Sequence, residues 1–167
     1  GSWDVSSGNN FYYMFHDADA FNQDIGSWDV SAGTHFAGMF YGADAFNQDI
    51  GSWDVSSGVN FAVMFNEADA FNQDISGWVV SSGTNFAYMF QGADAFEQNI
   101  SNWDVSDTAT LNQMFTDADL MLSNQGFSAT PTSADFNRTI FTDTTSLRTA
   151  VAAVSYTHLR AHETCHN

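Results

Sequence analysis

The 167-residue sequence contains no lysine and little positive charge of any kind. Its three arginines, Arg138, Arg148 and Arg160, stand against 20 acidic residues, which gives a net charge of −17. A nucleic-acid-binding protein needs a basic surface to displace counterions from phosphates, so this class is excluded. An anionic membrane surface would repel the chain for the same reason.

Cysteine and long apolar runs are also scarce. Cys165 is the sole cysteine, which excludes a disulfide within the chain. The apolar runs are only a few residues long, so we expect no transmembrane helix and no direct membrane insertion. The chain is nevertheless 44% hydrophobic and 16% aromatic, which is too much for a disordered acidic tail. Its length fits one domain of ordinary size.

The tryptophans reveal an internal repeat, because they recur every 25 residues at positions 3, 28, 53, 78 and 103. The pair Met14-Phe15 recurs with the same period, through to Met114-Phe115. A fixed period in the range of about 20–50 residues is typical of stacked repeat proteins. One unit of this length cannot bury its own Trp, Met and Phe side chains, so we expect the units to stack.

The spacing inside a unit predicts a short strand, then a short helical turn and a loop. Trp28 and Val30 are two residues apart and would share one face of a strand. Phe36, Met39 and Phe40 have the i, i+3, i+4 spacing of a helical turn with one apolar face. The predicted fold class is therefore a repeat solenoid.

The repeat pattern divides the chain into three parts. Five units occupy residues 1–125. Residues 126–153 are predicted to form a degenerate repeat or loop, followed from Ser146 by a helix that covers the end of the stack. Residues 154–167 hold the sole cysteine and three of the five histidines. This segment resembles a translated sequencing adapter, so we expect a non-native tail.

The tail contains a motif that resembles a metalloprotease site. His162-Glu163-Thr164-Cys165-His166 matches the H-E-x-x-H pattern, in which two histidines on one helical face bind zinc. The motif ends one residue before the last residue of the chain, where no third ligand or cleft can form around it. We therefore expect no zinc-dependent catalysis.

One column of aspartates is predicted to form an acidic binding face. Asp29 lies between two core residues of the predicted strand and must point outward. The fourth unit has Val79 in this column. The remaining members are Asp4, Asp54 and Asp104.

A second acidic column leaves a choice between metal binding and a structural role. Aspartates stacked about 5 Å apart would repel each other by about 1 kcal/mol in water and about 3 kcal/mol at a dielectric constant near 20. Calcium, which prefers oxygen ligands, could bridge Asp24, Asp49 and Asp74, or the outer column. Alternatively, these side chains accept backbone N–H bonds, since Asn99 replaces aspartate in the fourth unit. The structural reading is also predicted for Asp19, Asp44, Asp69, Asp94 and Asp119. We expect no obligatory cofactor, with calcium as the one candidate.

The repeat resembles the BspA-like leucine-rich-repeat surface proteins, specifically the DUF285 branch. The resemblance rests on Phe46-Asn47-Gln48-Asp49-Ile50, Trp53-Asp54-Val55-Ser56-Ser57 and Met64-Phe65, and covers about residues 1–121. It implies a right-handed, leucine-rich-repeat-like coil on an extracellular or cell-surface protein, often linked with adhesion. It implies no catalytic residues.

The remaining candidate groups are few. His16 and His35 occupy different repeat positions, which indicates surface variation and not a catalytic pair. Tyr12, Tyr13, Tyr41 and Tyr88 are expected to pack against neighbouring units, with stacking on sugars or on partner side chains as the alternative. Asn137-Arg138-Thr139 is a glycosylation candidate. Asn99-Ile100-Ser101 also matches this pattern, but it falls at the start of a predicted strand.

These observations predict a non-enzymatic extracellular module for adhesion. It would recognise a protein or a glycan through its acidic face. The alternative is a structural subunit whose open ends stack head to tail into a filament, with calcium assisting, because heterologous contacts need not close.

Overall fold

Successive 25-residue units lie one upon another in the computed structural model, which describes residues 3–136. In this range the helical elements are a π-helical turn, Met121–Gln125, and a 3-10 helix, Ser133–Asp135. Extended pairing in the same range is limited to isolated parallel bridges, so these residues form no β-sheet. The bridges join Asn10 to His35, His35 to Asn60, Asn60 to Asn85 and Asn85 to Thr110.

The predicted strand around Trp28 and Val30 is wrong, because turns flank both residues. The Trp28 N–H donates to the Ile25 carbonyl at 3.0 Å, and the Gly33 N–H donates to the Val30 carbonyl at 2.7 Å. The contact between units is here made by a side chain: Trp53 Nε1 donates to the Ile25 carbonyl at 3.2 Å. Trp78 and Trp103 repeat this bond on Ile50 and Ile75. A buried indole N–H needs such a partner.

The predicted helical turn is also wrong, because the backbone N–H groups alternate between two directions. The N–H groups of Met39 and Tyr41 close turns onto the carbonyls three residues earlier, at 3.1 Å. The N–H groups between them point along the stack: Gly38 and Phe40 donate to the next unit at 2.9 Å. An α-helix would return every N–H group to its own segment. The predicted strand–helix solenoid is therefore replaced by stacked units built of consecutive turns.

Left-handed backbone at two positions of every unit produces this alternation, with φ between 51° and 67°. The first position is Tyr13, Gly38, Val63, Tyr88 and Gln113; the second is Asp17, Gly42, Glu67, Gly92 and Asp117. Residues other than glycine adopt this conformation at a cost of about 1–2 kcal/mol each. Val63 is the most unusual of them, because its side chain is β-branched. The hydrogen bonds between units offset this strain.

Three columns of phenylalanine rings form the core. Consecutive rings in a column are stacked, with centroids 5.3–6.0 Å apart and interplanar angles of 5–16°. The columns are Phe11, Phe36, Phe61 and Phe86; Phe15, Phe40, Phe65, Phe90 and Phe115; and Phe21, Phe46, Phe71 and Phe96. Such ring pairs add about 0.5–1.5 kcal/mol each to the energy of burial. They supply cohesion that a sheet would otherwise provide.

A ladder of asparagine side chains holds the loop that follows the third column. Asn47 Oδ1 accepts the Asn72 N–H at 3.0 Å and Gln73 Nε2 at 2.8 Å, both from the next unit. Asn22 and Asn72 make equivalent bonds to the units that follow them. Within residues 3–136, no buried side-chain nitrogen or oxygen lacks a partner. The buried polar side chains of the described units are therefore all hydrogen-bonded.

An irregular segment, residues 127–136, covers the fifth unit. In the first four units, the N–H group at the repeat position of Phe115 donates to the next unit. The Phe115 N–H instead donates to the Ala129 carbonyl at 3.0 Å. The buried ring of Phe127 tilts against Phe115, with centroids 5.1 Å apart. The helix predicted from Ser146 lies outside the described residues.

Candidate functional site

The outer acidic column lies on the surface, and neighbouring serines orient its carboxylates. Asp4, Asp29, Asp54 and Asp104 are all exposed. Asp29 Oδ1 accepts the Ser31 hydroxyl at 2.6 Å and the Ser31 N–H at 3.1 Å. Ser6 makes the same two bonds to Asp4, at 2.7 and 3.1 Å. The serines therefore orient the carboxylates of Asp4 and Asp29, which face solvent.

The electrostatics of this column favour the ionised form. The hydrogen bonds from the Ser31 hydroxyl and N–H hold the pKa of Asp29 below its ordinary value, although the charges of Asp54 and Asp4 oppose this shift. Hydrogen bonds from Ser56 lower the pKa of Asp54 in the same way. At Asp29 the serine bonds outweigh the repulsion from the neighbouring carboxylates, so the ionised form persists to lower pH than in a free aspartate.

The column of Asp24, Asp49 and Asp74 caps tight turns. Each Oδ1 accepts the N–H two residues further on, at 3.0, 3.0 and 2.9 Å. Asn99 makes the same bond to Ser101 at 3.0 Å, which is the behaviour expected of a structural column. Between residues 3 and 136, no group of three or more His, Cys, Asp or Glu side chains is arranged to hold a metal. Calcium binding stays a prediction.

The column that begins with Asp19 bonds through its backbone and not through its carboxylates, contrary to the prediction. The N–H groups of Ala45, Ala70 and Ala95 donate to the backbone carbonyls of the aspartates one unit earlier, at 3.0–3.1 Å. Asp69 is exposed, but its carboxylate has a raised pKa, because partial loss of hydration disfavours its charge and the charges of Asp44 and Asp94 add to the effect.

This raised pKa predicts a stabilising substitution. A pKa that is higher in the folded than in the unfolded chain means that ionising Asp69 weakens folding. The penalty is absent below the unfolded pKa near 3.8 and appears as pH rises through the folded pKa. Asp69→Asn is therefore expected to raise stability by less than about 1 kcal/mol at about pH 7, given solvent screening. At about pH 3 the gain should vanish, as urea unfolding at both pH values would show.

Asp29→Asn is the matched control, because it removes one charge from a residue whose pKa is lowered. The stabilising contribution of Asp29 is present above the unfolded pKa near 3.8 and is lost as pH falls through the lower, folded pKa. At neutral pH, Asp29→Asn should therefore increase stability less than Asp69→Asn does. Equal gains from both would indicate a general relief of negative charge and would contradict the site-specific explanation.

A groove of about 360 Å³ opens beside the first tryptophan. Trp3 is 62% exposed and stacks on Trp28 with centroids 6.2 Å apart, whereas Trp103 is 1% exposed. The groove is lined by Trp3, Phe15, Phe21, Gln23, Asp24, Ile25 and Trp28.

A second exposed feature is a group of aromatic rings in the first two units. The Tyr13 ring contacts Tyr12 edge-on at 4.3 Å and His16 at 4.8 Å between centroids. His16 stacks on Tyr41 at 4.8 Å with an interplanar angle of 16°. His16 Nε2 lies 3.4 Å from Asp17 Oδ1. Sequence reasoning took His16 for surface variation and did not group it with the tyrosines.

The glycosylation candidates differ from the sequence expectation in one respect. Asn99 lies in no strand; it is exposed, and its Oδ1 accepts the Ser101 hydroxyl at 2.7 Å. Asn137 lies outside the described residues. The same holds for residues 154–167, including the H-E-x-x-H motif.

Turn-built units that stack in register, with charged columns on the surface, define a repeat protein. The sequence model of the family described as Mycoplasma protein of unknown function, DUF285, matches residues 1–62 and again residues 34–129. The matches cover more than half of the chain, so the protein belongs to this family, and the DUF285 part of the resemblance is confirmed. No curated protein and no solved structure matches the chain. Among the described residues, none form a helix with the length and apolar character needed to span a membrane.

Proposed function

We propose that this protein is a non-enzymatic recognition module, displayed outside the cell or on its surface, whose outer acidic column binds basic patches of a partner protein. The observation that carries the proposal is the oriented carboxylate of Asp29, with its serine bonds repeated at Asp4. No lysine or arginine precedes Arg138, so the described stack has no Lys or Arg charge to neutralise this face. Such a field attracts cationic partners and speeds their association.

The extracellular location is part of the same proposal and is supported by the resemblance to BspA-like surface proteins. A glycan is the alternative ligand. A neutral glycan would not respond to the charge of the column, and an anionic one would be repelled by it. The acidic face therefore favours a basic protein partner.

The test compares two triple variants of equal net charge. Asp4, Asp29 and Asp54 are changed to Asn in one, and Asp19, Asp44 and Asp69 in the other. The probe is a capped lysine–glycine peptide, titrated calorimetrically into the full chain at low salt. The first variant should bind about tenfold more weakly than the second, because it lacks three exposed charge contacts. Added salt should reduce this difference.

Equal losses in the two variants would contradict the assignment of binding to the outer column. If neither the parent protein nor the variants bind the cationic peptide, recognition of basic patches is excluded. Binding of neutral oligosaccharides that is weakened by the changes at Asp4, Asp29 and Asp54, and not by the control changes, would favour the glycan alternative.

Head-to-tail stacking is the second candidate function, and the groove beside Trp3 is the observation in its favour. At the other end, residues 127–136 already cover the fifth unit and take up the Phe115 N–H, so this segment would have to move. Light scattering with calcium and then with chelator tests the idea. Calcium-dependent growth into long assemblies would support it, and a monomer in both conditions would exclude it.

A further inference from the structure

We propose that the aromatic group of the first two units is a second binding site, which takes the guanidinium of an arginine side chain on a partner protein. The site, termed the tyrosine platform, comprises Tyr12, Tyr13, His16, Asp17 and Tyr41. It occupies different repeat positions from the outer acidic column, so it does not depend on the function proposed for that column.

Two glycines of the second unit make room for the platform. A Cβ atom added to Gly38 would lie 2.3 Å from Tyr13 Cε1, so the tyrosine ring rests directly on the glycine backbone. A Cβ atom added to Gly42 would lie 2.7 Å from Asp17 Oδ1. The ring and the carboxylate of the first unit are therefore both seated on side-chain-free positions of the second.

The rings of the platform hold one another while keeping surface free. Tyr12 is 58% exposed and Tyr13 is 36% exposed. Centroid distances of 4.3–4.8 Å link Tyr12 to Tyr13, Tyr13 to His16, and His16 to Tyr41. Partial loss of hydration and the neighbouring tyrosines raise the pKa of Tyr13, which further favours its neutral phenol. Because the rings already restrict one another, ligand binding should cost little further side-chain entropy.

Charge complementarity selects the occupant. The platform combines ring faces with the Asp17 carboxylate, in a stack without lysine or arginine. Cations bind over the faces of tyrosine rings, and arginine does so more often than lysine. A guanidinium is also planar, stacks on rings and can bond a carboxylate through two N–H groups. An arginine side chain matches both components of the platform.

The test uses Tyr13→Gly, with Tyr88→Gly as its matched control. Both tyrosines occupy the same repeat position with left-handed backbone, φ 53° and 59°, so glycine relieves strain in each case and folding should be preserved. Among residues 3–136, the Tyr88 ring pairs with no other ring. The probe is a capped arginine–glycine peptide, titrated into the full chain, with a citrulline–glycine peptide of equal length as the uncharged comparison.

The expected result is a dissociation constant about three- to tenfold higher for Tyr13→Gly, with Tyr88→Gly unchanged and the citrulline peptide bound weakly by all three proteins. Equal affinity of both variants and the parent for the arginine peptide would overturn the platform, while leaving the acidic column as the binding surface. Absence of arginine-peptide binding to the parent protein would overturn the platform as well. In that case the lysine-peptide titrations still test binding by the outer acidic column separately.

Discussion

Phe65→Ala is expected to lower the free energy of unfolding by about 3–5 kcal/mol, in the range for truncation of a buried phenylalanine. The Phe65 side chain is completely buried. Its ring stacks on Phe71 at 4.0 Å, and on Phe40 and Phe90 at 5.6 Å each. Truncation leaves a cavity that the rigidly stacked neighbours cannot fill. Urea unfolding followed by tryptophan fluorescence measures the loss.

Two controls separate the cavity from other effects. Phe65→Leu retains much of the volume and should lose less than half as much stability. Tyr12→Ala removes an exposed ring and should change stability by no more than about 0.5 kcal/mol. A Phe65→Ala loss below that of Phe65→Leu would mean that the ring columns do not carry the cohesion of the stack.

Gly58→Ala is expected to lower stability by about 1–3 kcal/mol through overpacking. The added Cβ would lie 2.3 Å from Phe61 Cζ and 2.9 Å from the Val55 carbonyl oxygen. The Phe61 ring cannot easily move aside, because Phe36 and Phe86 stack on its two faces at 5.5 and 5.3 Å. Thermal and urea unfolding would both report the change.

Gly77→Ala is the control for this substitution. A Cβ atom at Gly77 would meet nothing within 4 Å, and its φ is not in the left-handed region. Alanine there should be neutral or slightly stabilising, because it restricts the unfolded chain. Similar losses at Gly58 and Gly77 would point to a general requirement for glycine flexibility and would contradict the overpacking explanation.

The period and the core were predictable from sequence, because they depend on which residues are apolar. Phe36, Met39 and Phe40, which the i, i+3, i+4 spacing placed on one inner face, are all fully buried. The local conformation was not predictable from this spacing, because successive turns also bring these positions to one side. The missing information was the left-handed backbone. Glycines at 38, 42 and 92 were the available signal, but Val63 and Glu67 at the same positions obscured it.

The candidate sites were predictable in part. The alternation around Asp29 correctly placed this residue on the surface, since that inference needs only a neighbouring buried side chain. The acceptor role of Asp24 follows from general turn chemistry and was foreseen as the structural alternative. The tyrosines of the platform were recognised as candidates for stacking on partner side chains, but His16 and Asp17 were not grouped with them, because the members interact across units and depend on the glycines beneath them. Contacts of this kind become visible only when the register between units is known.

The near-absence of regular secondary structure in residues 3–136 has a consequence for spectroscopy. Far-ultraviolet circular dichroism reports helices and sheets, so the folded repeat region should give a spectrum easily mistaken for that of an unfolded chain. Near-ultraviolet signals, which report ordered rings, should instead be strong and should disappear on denaturation. This is the reverse of a molten globule, which keeps its far-ultraviolet signal and loses the near-ultraviolet one. For this protein, the folded state is best detected by the near-ultraviolet circular dichroism of its aromatic rings.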